Sequence, residues 1–401
     1  ENFKNDGEIR MKRYFADLHI HIGRTKTGRA VKITGSKNLT LTNILQTVKN
    51  QKGIDIVGVI DCHSPEVIDE IEELMKDGRL IPLDGGGLLY EGKTTLIPGS
   101  ELEIYDSSCK GPVHVLCYFP EITQMKQFSH WLETKLKNIH LSSQQIYTTG
   151  RALQEKVKEL GGLFIPAHVF TPFKSLFGKG VEKHLEEVFD PEWIDAVELG
   201  LSSDTYMADH LSQLHTYPYL TNSDAHSLPK IAREYQALLL QRPDFSEMKK
   251  ALKNADGRKI LANYGLDPLL GKYYGTTCAK CFTPVKGKDK TCPNCGSRKF
   301  TKGVSERIRE LSDAEHFPER PPYVHQVPLE FLPGIGPKTL KKLLNRFGTE
   351  MAVIHEAAIH ELKEIVPEKT AELIIKAREG TLRVRAGGGG RYGKIDSSRP
   401  G

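Results

Sequence analysis

The chain has 401 residues, more than one hydrophobic core usually serves, so two or three domains are expected. Seven cysteines, four of them in two C-x-x-C pairs, speak against a secreted disulfide framework and fit a reducing cytoplasm. No apolar run of about 18 residues marks a membrane span, and the polar, mixed-charge stretch from Glu1 to Arg13 is unlike a signal peptide.

The net charge of +5 is unevenly spread. Residues 271–401 hold 24 Lys and Arg against 15 Asp and Glu, whereas residues 1–270 are acidic overall. A catalytic body joined to a polyanion-binding module is the expectation. In chain order, apolar runs predict strands at Tyr14–His21, Ile54–Asp61, Thr94–Ile104, Val113–Phe119, Leu163–Val169, Ala196–Leu199, Tyr219–Ser223 and Gln236–Leu240. Amphipathic stretches between them predict helices at Thr42–Gln51, Pro65–Lys76, Ser142–Leu160 and Phe245–Lys253. Such alternation reads as α/β with a largely parallel sheet or barrel over residues 12–265. Asn263 to Gly275 reads as a linker, and residues 272–303 as a Lys-rich, cysteine-bearing domain. A helical domain is expected over 304–380, opened by a charged connector ending in Pro321-Pro322. The Gly- and Arg-rich tail, 381–401, is expected to be disordered.

In a strand, alternate side chains share a face, so Asp17, His19 and His21 are expected to point the same way and to hold a metal. Acids and imidazoles then recur at later strand ends: Asp61-Cys62-His63, Glu101, His114, His168, Glu198 and Asp224-Ala225-His226. In an α/β barrel these ends converge on one face. One histidine there is usually structural; a series of them predicts a multinuclear site. Mixed imidazole and carboxylate donors suit Zn, Mn or Fe, and a bridged pair of such ions makes hydroxide at neutral pH and clamps phosphoryl oxygens. The chemistry expected is phosphoester hydrolysis. Arg24, Lys26, Arg29, Lys32 and Lys37 form a basic loop after the first strand, fit either to grip a phosphate backbone or to be solvated. Phe170, Phe173 and Phe177, interleaved with Lys174 and Lys179, suit either base stacking or loop packing.

The order His19-x-His21, His63, Glu101, His114, His168, Asp224-x-His226 resembles the polymerase-and-histidinol-phosphatase (PHP) family of metal-dependent phosphoesterases, over roughly residues 14–262. That resemblance implies a distorted (β/α)7 barrel with two or three divalent ions (Zn, Mn, Mg or Fe). By carry-over, His19, His21, Glu101 and Asp224 hold one ion, and Glu101, His114 and His168 a second. His63 and His226 belong to a third. Two positions depart from the family pattern: Cys62 stands where an Asp is usual, and Lys26 where an Asp or His is usual. Two ions are therefore the expectation.

Cys278-x-x-Cys281 and Cys292-x-x-Cys295 have the spacing of two thiolate knuckles around one structural zinc, rather than of redox pairs. The segment Leu332-Pro333-Gly334-Ile335-Gly336-Pro337-Lys338 resembles a helix-hairpin-helix DNA-binding motif; Glu364–Thr370 resembles a degenerate second copy. Gly334, Ile335, Gly336, Lys338, Lys341 and Lys342, with Arg24 and Arg29 on the barrel, are the expected DNA contacts.

A PHP barrel followed by a four-cysteine zinc ribbon and an all-α helix-hairpin-helix domain resembles the endonuclease Q family of DNA-repair nucleases, to about residue 380. The resemblance implies hydrolysis 5′ to a deaminated base (uracil, hypoxanthine, xanthine) or abasic site in double-stranded DNA, leaving 3′-hydroxyl and 5′-phosphate. Catalysis is expected to rest on His19, His21, Glu101 and Asp224, with Lys26 or Lys37 as a phosphate clamp. A monomer fits a protein that wraps one DNA site. A phosphatase or single-strand exonuclease on the same barrel, and a non-catalytic DNA-binding protein, are the competing readings.

Overall fold

The computed structural model describes residues 10–285, 289–385 and 394–395. In chain order the strands are β1 (Lys12–Ile20), β2 (Ile56–Val59), β3 (Leu80–Pro82), β4 (Leu88–Tyr90), β5 (Thr94–Ile104), β6 (Val113–Tyr118), β7 (Gln145–Ile146), β8 (Leu163–Pro166), β9 (Val197–Glu198), β10 (Tyr219–Leu220), β11 (Tyr235–Leu240), β12 (Lys259–Gly265), β13 (Thr277–Cys278), β14 (Phe300–Thr301) and β15 (Tyr323–His325). Helices α1 (Leu41–Thr47), α2 (Pro65–Lys76), α3 (Ile122–Glu133), α4 (Gly150–Glu159), α5 (Thr205–Ala208) and α6 (Phe245–Leu252) surround the sheet. Helices α7 (Val304–Leu311), α8 (Pro337–Phe347), α9 (Glu350–His355), α10 (Ile359–Ile365) and α11 (Glu368–Glu379) follow the cysteines.

Strands β1, β2, β5, β6, β8, β9 and β10 form a ring. Ladders join β1 to β2, β2 to β5, β5 to β6, β6 to β8, and β9 to β10. Two backbone hydrogen bonds link β8 to β9, Asp195 N to Phe164 O and Val169 N to Glu198 O, both 3.0 Å. Ala225 closes the ring on β1 by bonding His19 O and receiving His21 N, each at 3.1 Å. Period-two alternation fills the interior: Leu163 and Ile165 of β8 point inward with Leu18, Leu116 and Leu220. Phe164 points outward against Phe189. The first half of β1 pairs antiparallel with β11, and β12 and β15 extend that edge. Asn263, expected in a linker, thus lies in a strand.

Strand β6 runs antiparallel to both neighbours, a distortion of the expected parallel ring. Its first residues, not its last, therefore reach the catalytic rim. His114 stands at the start of β6 for that reason. The expected long helix Ser142–Leu160 forms only as α4, because residues 142–149 cross the rim and supply β7.

The C-terminal helices make two hairpins whose turns sit at Gly334 and at Val366-Pro367. Of the tail, Val384–Arg385 pairs antiparallel with Lys394–Ile395; the rest of 381–401 beyond 385 lies outside the described residues. Among the described residues no helix is long and apolar enough to cross a membrane.

Candidate metal centre and nucleic-acid interface

Glu101, fully buried on β5, is the hub of the cluster. Its Oε2 lies 3.2 Å from His19 Nε2, 3.3 Å from His114 Nδ1 and 3.6 Å from His168 Nε2. Its Oε1 lies 3.7 Å from His21 Nε2 and 3.5 Å from Lys32 Nζ, and accepts the Ser143 hydroxyl. Asp224 Oδ1 completes the group at 3.4 Å from both His19 Nε2 and His21 Nε2, and 3.2 Å from His226 Nε2. Three sets of donors lie within ligation range of one another: His19–His21–Glu101, His21–Asp224–His226 and Glu101–His114–His168.

Each imidazole gives one nitrogen to the cluster and engages the other elsewhere. His19 Nδ1 donates to Glu198 at 3.0 Å, and His21 Nδ1 to Asp61 at 3.1 Å. His114 Nε2 donates to Glu103 at 3.4 Å, and His168 Nδ1 to Thr171 at 3.2 Å. This is how metal-binding histidines are fixed in tautomer and orientation. The buried His19 and His21 Nε2 atoms have no hydrogen-bond partner, a costly state that a cation relieves. The donor set thus fits divalent ions. Because His21 has only Nε2 to give, the two sets that contain it compete. Two ions sharing Glu101 take the sets His19–His21–Glu101 and Glu101–His114–His168 without conflict, with Asp224 Oδ1 at 3.4 Å from His19 and His21 beside the first.

Charge follows the same logic. Burial pushes the Glu101 carboxyl up, but His114 and Lys32 outweigh it and hold it well below the usual carboxylate range. Burial likewise opposes ionisation of Asp224, which His19, His21 and His226 reverse. Burial alone would depress His19; Glu198, Asp224 and Glu101 instead hold its pKa well above the ordinary imidazole value.

The backbone is strained where the ligands are presented. His168 (φ 32°) and Asp224 (φ 46°) are both in the left-handed region, a cost that recurs at functional sites. Gly200 allows the His168 turn, since a Cβ there would fall 2.9 Å from His168 Cβ.

Not every expected residue joins the cluster. Asp17 does not: β1 uses three residues from Asp17 to Ile20 where β2 uses two, a bulge that resets the alternation. Its carboxylate accepts Ser223 N at 3.0 Å and Ala232 N at 2.9 Å, tethering the loop that bears Asp224. His63 is excluded as well, for the Ser100 hydroxyl donates to its Nδ1 at 2.7 Å and its Nε2 donates to Leu141 O at 3.1 Å. Burial pushes the Cys62 thiol up to about 12, and Asp61 beside it serves His21. Lys26 pairs with Glu73 and Arg29 with Glu66, both on the outer rim, while Lys37 is exposed and Arg24 bonds Gly23 O. The cation that does enter is Lys32, which the sequence did not distinguish from its neighbours. Phe170 and Phe177 are buried and stack on each other; only Phe173 of that aromatic run is exposed.

A cleft of about 220 Å³ opens over the cluster, lined by His21, Lys32, Glu101 and His114 among others. Beside it is a cavity of about 480 Å³ that shares His168, Asp224 and His226. A larger cleft of about 840 Å³ lies at the opposite end of the ring, around Trp193, Tyr217 and Lys249, and holds none of the cluster donors.

The four paired cysteines gather between β13 and β14. Cys278 and Cys295 sulfurs are 3.5 Å apart, as are those of Cys281 and Cys292. That is far beyond a disulfide bond and suits thiolates around one ion. Lys286 and Lys288 lie outside the described residues. In the first C-terminal hairpin, Gly334 has φ 90° and a Cβ on it would meet Thr370 Oγ1 at 2.6 Å, so the turn requires glycine. Lys338, Lys341 and Lys342 are exposed around it, whereas Ile335 is buried and anchors the turn.

Residues 328–379 match the model of the SAM-like helix-hairpin-helix tandem family. YqxK of Bacillus subtilis, a protein of uncharacterised function, is 64% identical over 386 residues, covering 96% of this chain and all of that one. The lesion-specific endonuclease PfuEndoQ of Pyrococcus furiosus is 34% identical with a TM-score of 0.82, covering 96% of this chain and 95% of its own. An endonuclease Q structure in complex with a 27-mer duplex bearing an abasic lesion at the active site is 33% identical, TM-score 0.82, with 97% of each chain covered. Fold and cluster together define a metal-dependent phosphodiester hydrolase. The matches run the length of barrel, ribbon and hairpins alike. The chain belongs to the endonuclease Q family.

Proposed function

We propose that this protein is a DNA-repair endonuclease that hydrolyses the phosphodiester 5′ to a deaminated base or abasic site in duplex DNA, leaving 3′-hydroxyl and 5′-phosphate ends. The observation that carries this reading is the Glu101-centred cluster, open to one cleft and adjoining a second cavity. His19, His21, Glu101 and Asp224 hold one divalent ion, and Glu101, His114 and His168 another. Such ions supply an acidified water and neutralise charge on phosphoryl oxygens. Glu198 and Asp61 accept from Nδ1 of His19 and His21 and so turn Nε2 of each ring toward the ion. Lys32, at the cleft wall, adds a fixed positive charge where a phosphate enters. The basic hairpin face, with Lys338, Lys341 and Lys342, holds the duplex backbone. The zinc in the four-cysteine site has no open position, so it scaffolds the ribbon.

An end-labelled duplex with one deoxyuridine, deoxyinosine or abasic residue tests the reading. A single nick 5′ to the lesion is expected, abolished by EDTA and restored by Mn or Mg. Trimming from the ends of undamaged strands would instead establish an exonuclease. Asp224→Asn should cut at least 100-fold more slowly while binding the duplex with near-normal affinity.

A further inference from the structure

Two aromatic side chains stand where the metal cleft meets the neighbouring cavity. Phe173 comes from the loop after β8 and is 47% exposed, the only member of its aromatic run left in solvent. Tyr273 comes from the segment leading into the zinc ribbon and lines both the 220 Å³ cleft and the 480 Å³ cavity. The rings meet edge to face, centroids 5.8 Å apart at 79°, and Lys179 Nζ sits 5.4 Å from the Phe173 ring.

The backbone segments that carry the two rings are fixed from behind. Tyr273 O accepts Val304 N at 2.9 Å and Tyr274 O accepts Ser305 N at 3.0 Å, so the two stems of the ribbon are tied together at this point. From the α7 that follows, the Arg307 guanidinium donates to Phe177 O at 2.7 Å and Val181 O at 3.1 Å, tying the ribbon to the loop that carries Phe173. Gly271 passes so close to Ser202 that a Cβ would lie 2.4 Å from its hydroxyl, which seats the Tyr273 segment on the cavity rim. Phe173 keeps nearly half of its surface in solvent at the metal cleft, and Tyr273, partly buried against the core, lines the wall of the same cleft. A base has a π face, and stacking on such rings is tolerant of base identity.

We infer that Phe173 and Tyr273 are the specificity-determining stacking pair that receives the lesion base as it leaves the duplex. This rests on the endonuclease reading above. Removing a nucleotide from the stack costs a few kcal/mol, least for a mispaired or missing base. A stacking pair at the cleft mouth offsets that cost only when a base is present. An abasic nucleotide gains nothing from it. The zinc ribbon thereby becomes part of the reaction site, because it sets the position of Tyr273.

The test compares full-length wild type, Phe173→Ala, Tyr273→Ala and Tyr273→Phe on duplexes identical except for deoxyinosine, deoxyuridine or an abasic residue. The readout is the ratio of kcat/KM on each base-bearing duplex to that on the abasic one. Each alanine variant is expected to lower the ratio about tenfold or more, in line with stacking of about 1–3 kcal/mol per base. The fall should be larger for hypoxanthine, the wider ring system, than for uracil, and Tyr273→Phe should keep the wild-type ratio. Metal content and thermal unfolding are measured alongside to show intact sites. An unchanged ratio, with all substrates slowed alike or none, overturns the inference and leaves the endonuclease reading standing. Failure of the wild type to nick any lesion duplex overturns that reading itself.

Discussion

At the scale of single residues, the centre is defined as much by what grips the ligands as by the ligands. Glu198 takes the His19 imidazole, the backbone N–H of His168 at 2.9 Å and the Asn222 amide at 2.8 Å. One buried carboxylate thus orients parts of both metal sets. Glu198→Gln keeps the shape and removes the charge, and is expected to weaken metal binding about 10- to 100-fold in a calorimetric titration. Unchanged affinity would mean that His19 is held by the cluster alone. His63 gives the opposite expectation. With both ring nitrogens engaged by protein, His63→Asn should leave the metal stoichiometry of the purified protein unchanged, whereas His114→Asn should lose an ion. The sequence made both histidines look alike, each at one end of an apolar run. What separates them is the Ser100 hydroxyl and the Leu141 carbonyl, contributed 37 and 78 residues away. The same is true of the basic loop, where Glu66 and Glu73 of α2 withdraw Arg29 and Lys26 and leave Lys32 in the cleft.

At the scale of elements, most strands were legible because apolar alternation and strand ends rich in His, Asp and Glu coincide. The irregularities were not. The bulge in β1 that turns Asp17 away from His19 arises from pairing with β2, and nothing in five residues announces it. The reversal of β6 depends on the short excursion between β5 and β6. Helix α3 is legible after the fact in the helical spacing of Ile122, Met125, Phe128 and Leu132, whereas β12 and β15 are stabilised by their neighbours rather than by their own pattern. Asp55 shows how firmly the β1–β2–β5 junction is locked. Its side chain accepts Phe15 N at 2.8 Å, its N–H donates to Phe15 O at 2.9 Å, and its carbonyl accepts Thr95 N at 2.8 Å. Burial raises this carboxyl to about 6. A carboxyl raised in the folded state favours folding when protonated, so its contribution is full below about pH 4 and is lost as pH rises through about 6. Two units correspond to at most about 3 kcal/mol, less for a group partly open to solvent. Asp55→Asn, which can still accept the Phe15 N–H, should therefore gain stability relative to wild type between pH 4 and pH 8 by roughly 1–2 kcal/mol in urea unfolding. A pH-independent difference would mean the carboxyl titrates normally in the fold.

At the scale of the whole molecule, the acidic barrel and the basic rear are bolted together, and the bolt is a buried ion pair. Lys52 Nζ lies 3.0 Å from Glu350 Oε1 and 3.0 Å from Pro229 O, with both side chains less than a tenth exposed. Gly53 beside it leaves room for Thr349, the N-cap of α9, and Phe15 of β1 stacks on His355 at the other end of that helix with centroids 4.5 Å apart. The hairpin tandem is thus held at a set distance from Glu101, as an enzyme needs if the backbone it grips and the bond it cuts lie on one duplex. Removing one partner of such a pair leaves a buried charge unpaired, at a cost of about 3–5 kcal/mol, whereas removing both can be nearly neutral. Lys52→Met is therefore expected to lower stability by several kcal/mol in urea unfolding, and the double variant Lys52→Met, Glu350→Met to recover most of the loss. Burial already pushes the Glu350 carboxyl upward despite Lys52, so the single variant should protonate it and lose more stability at pH 8 than at pH 5. Additive, pH-independent losses would show that the pair is solvated and that the apolar contacts alone join the two halves.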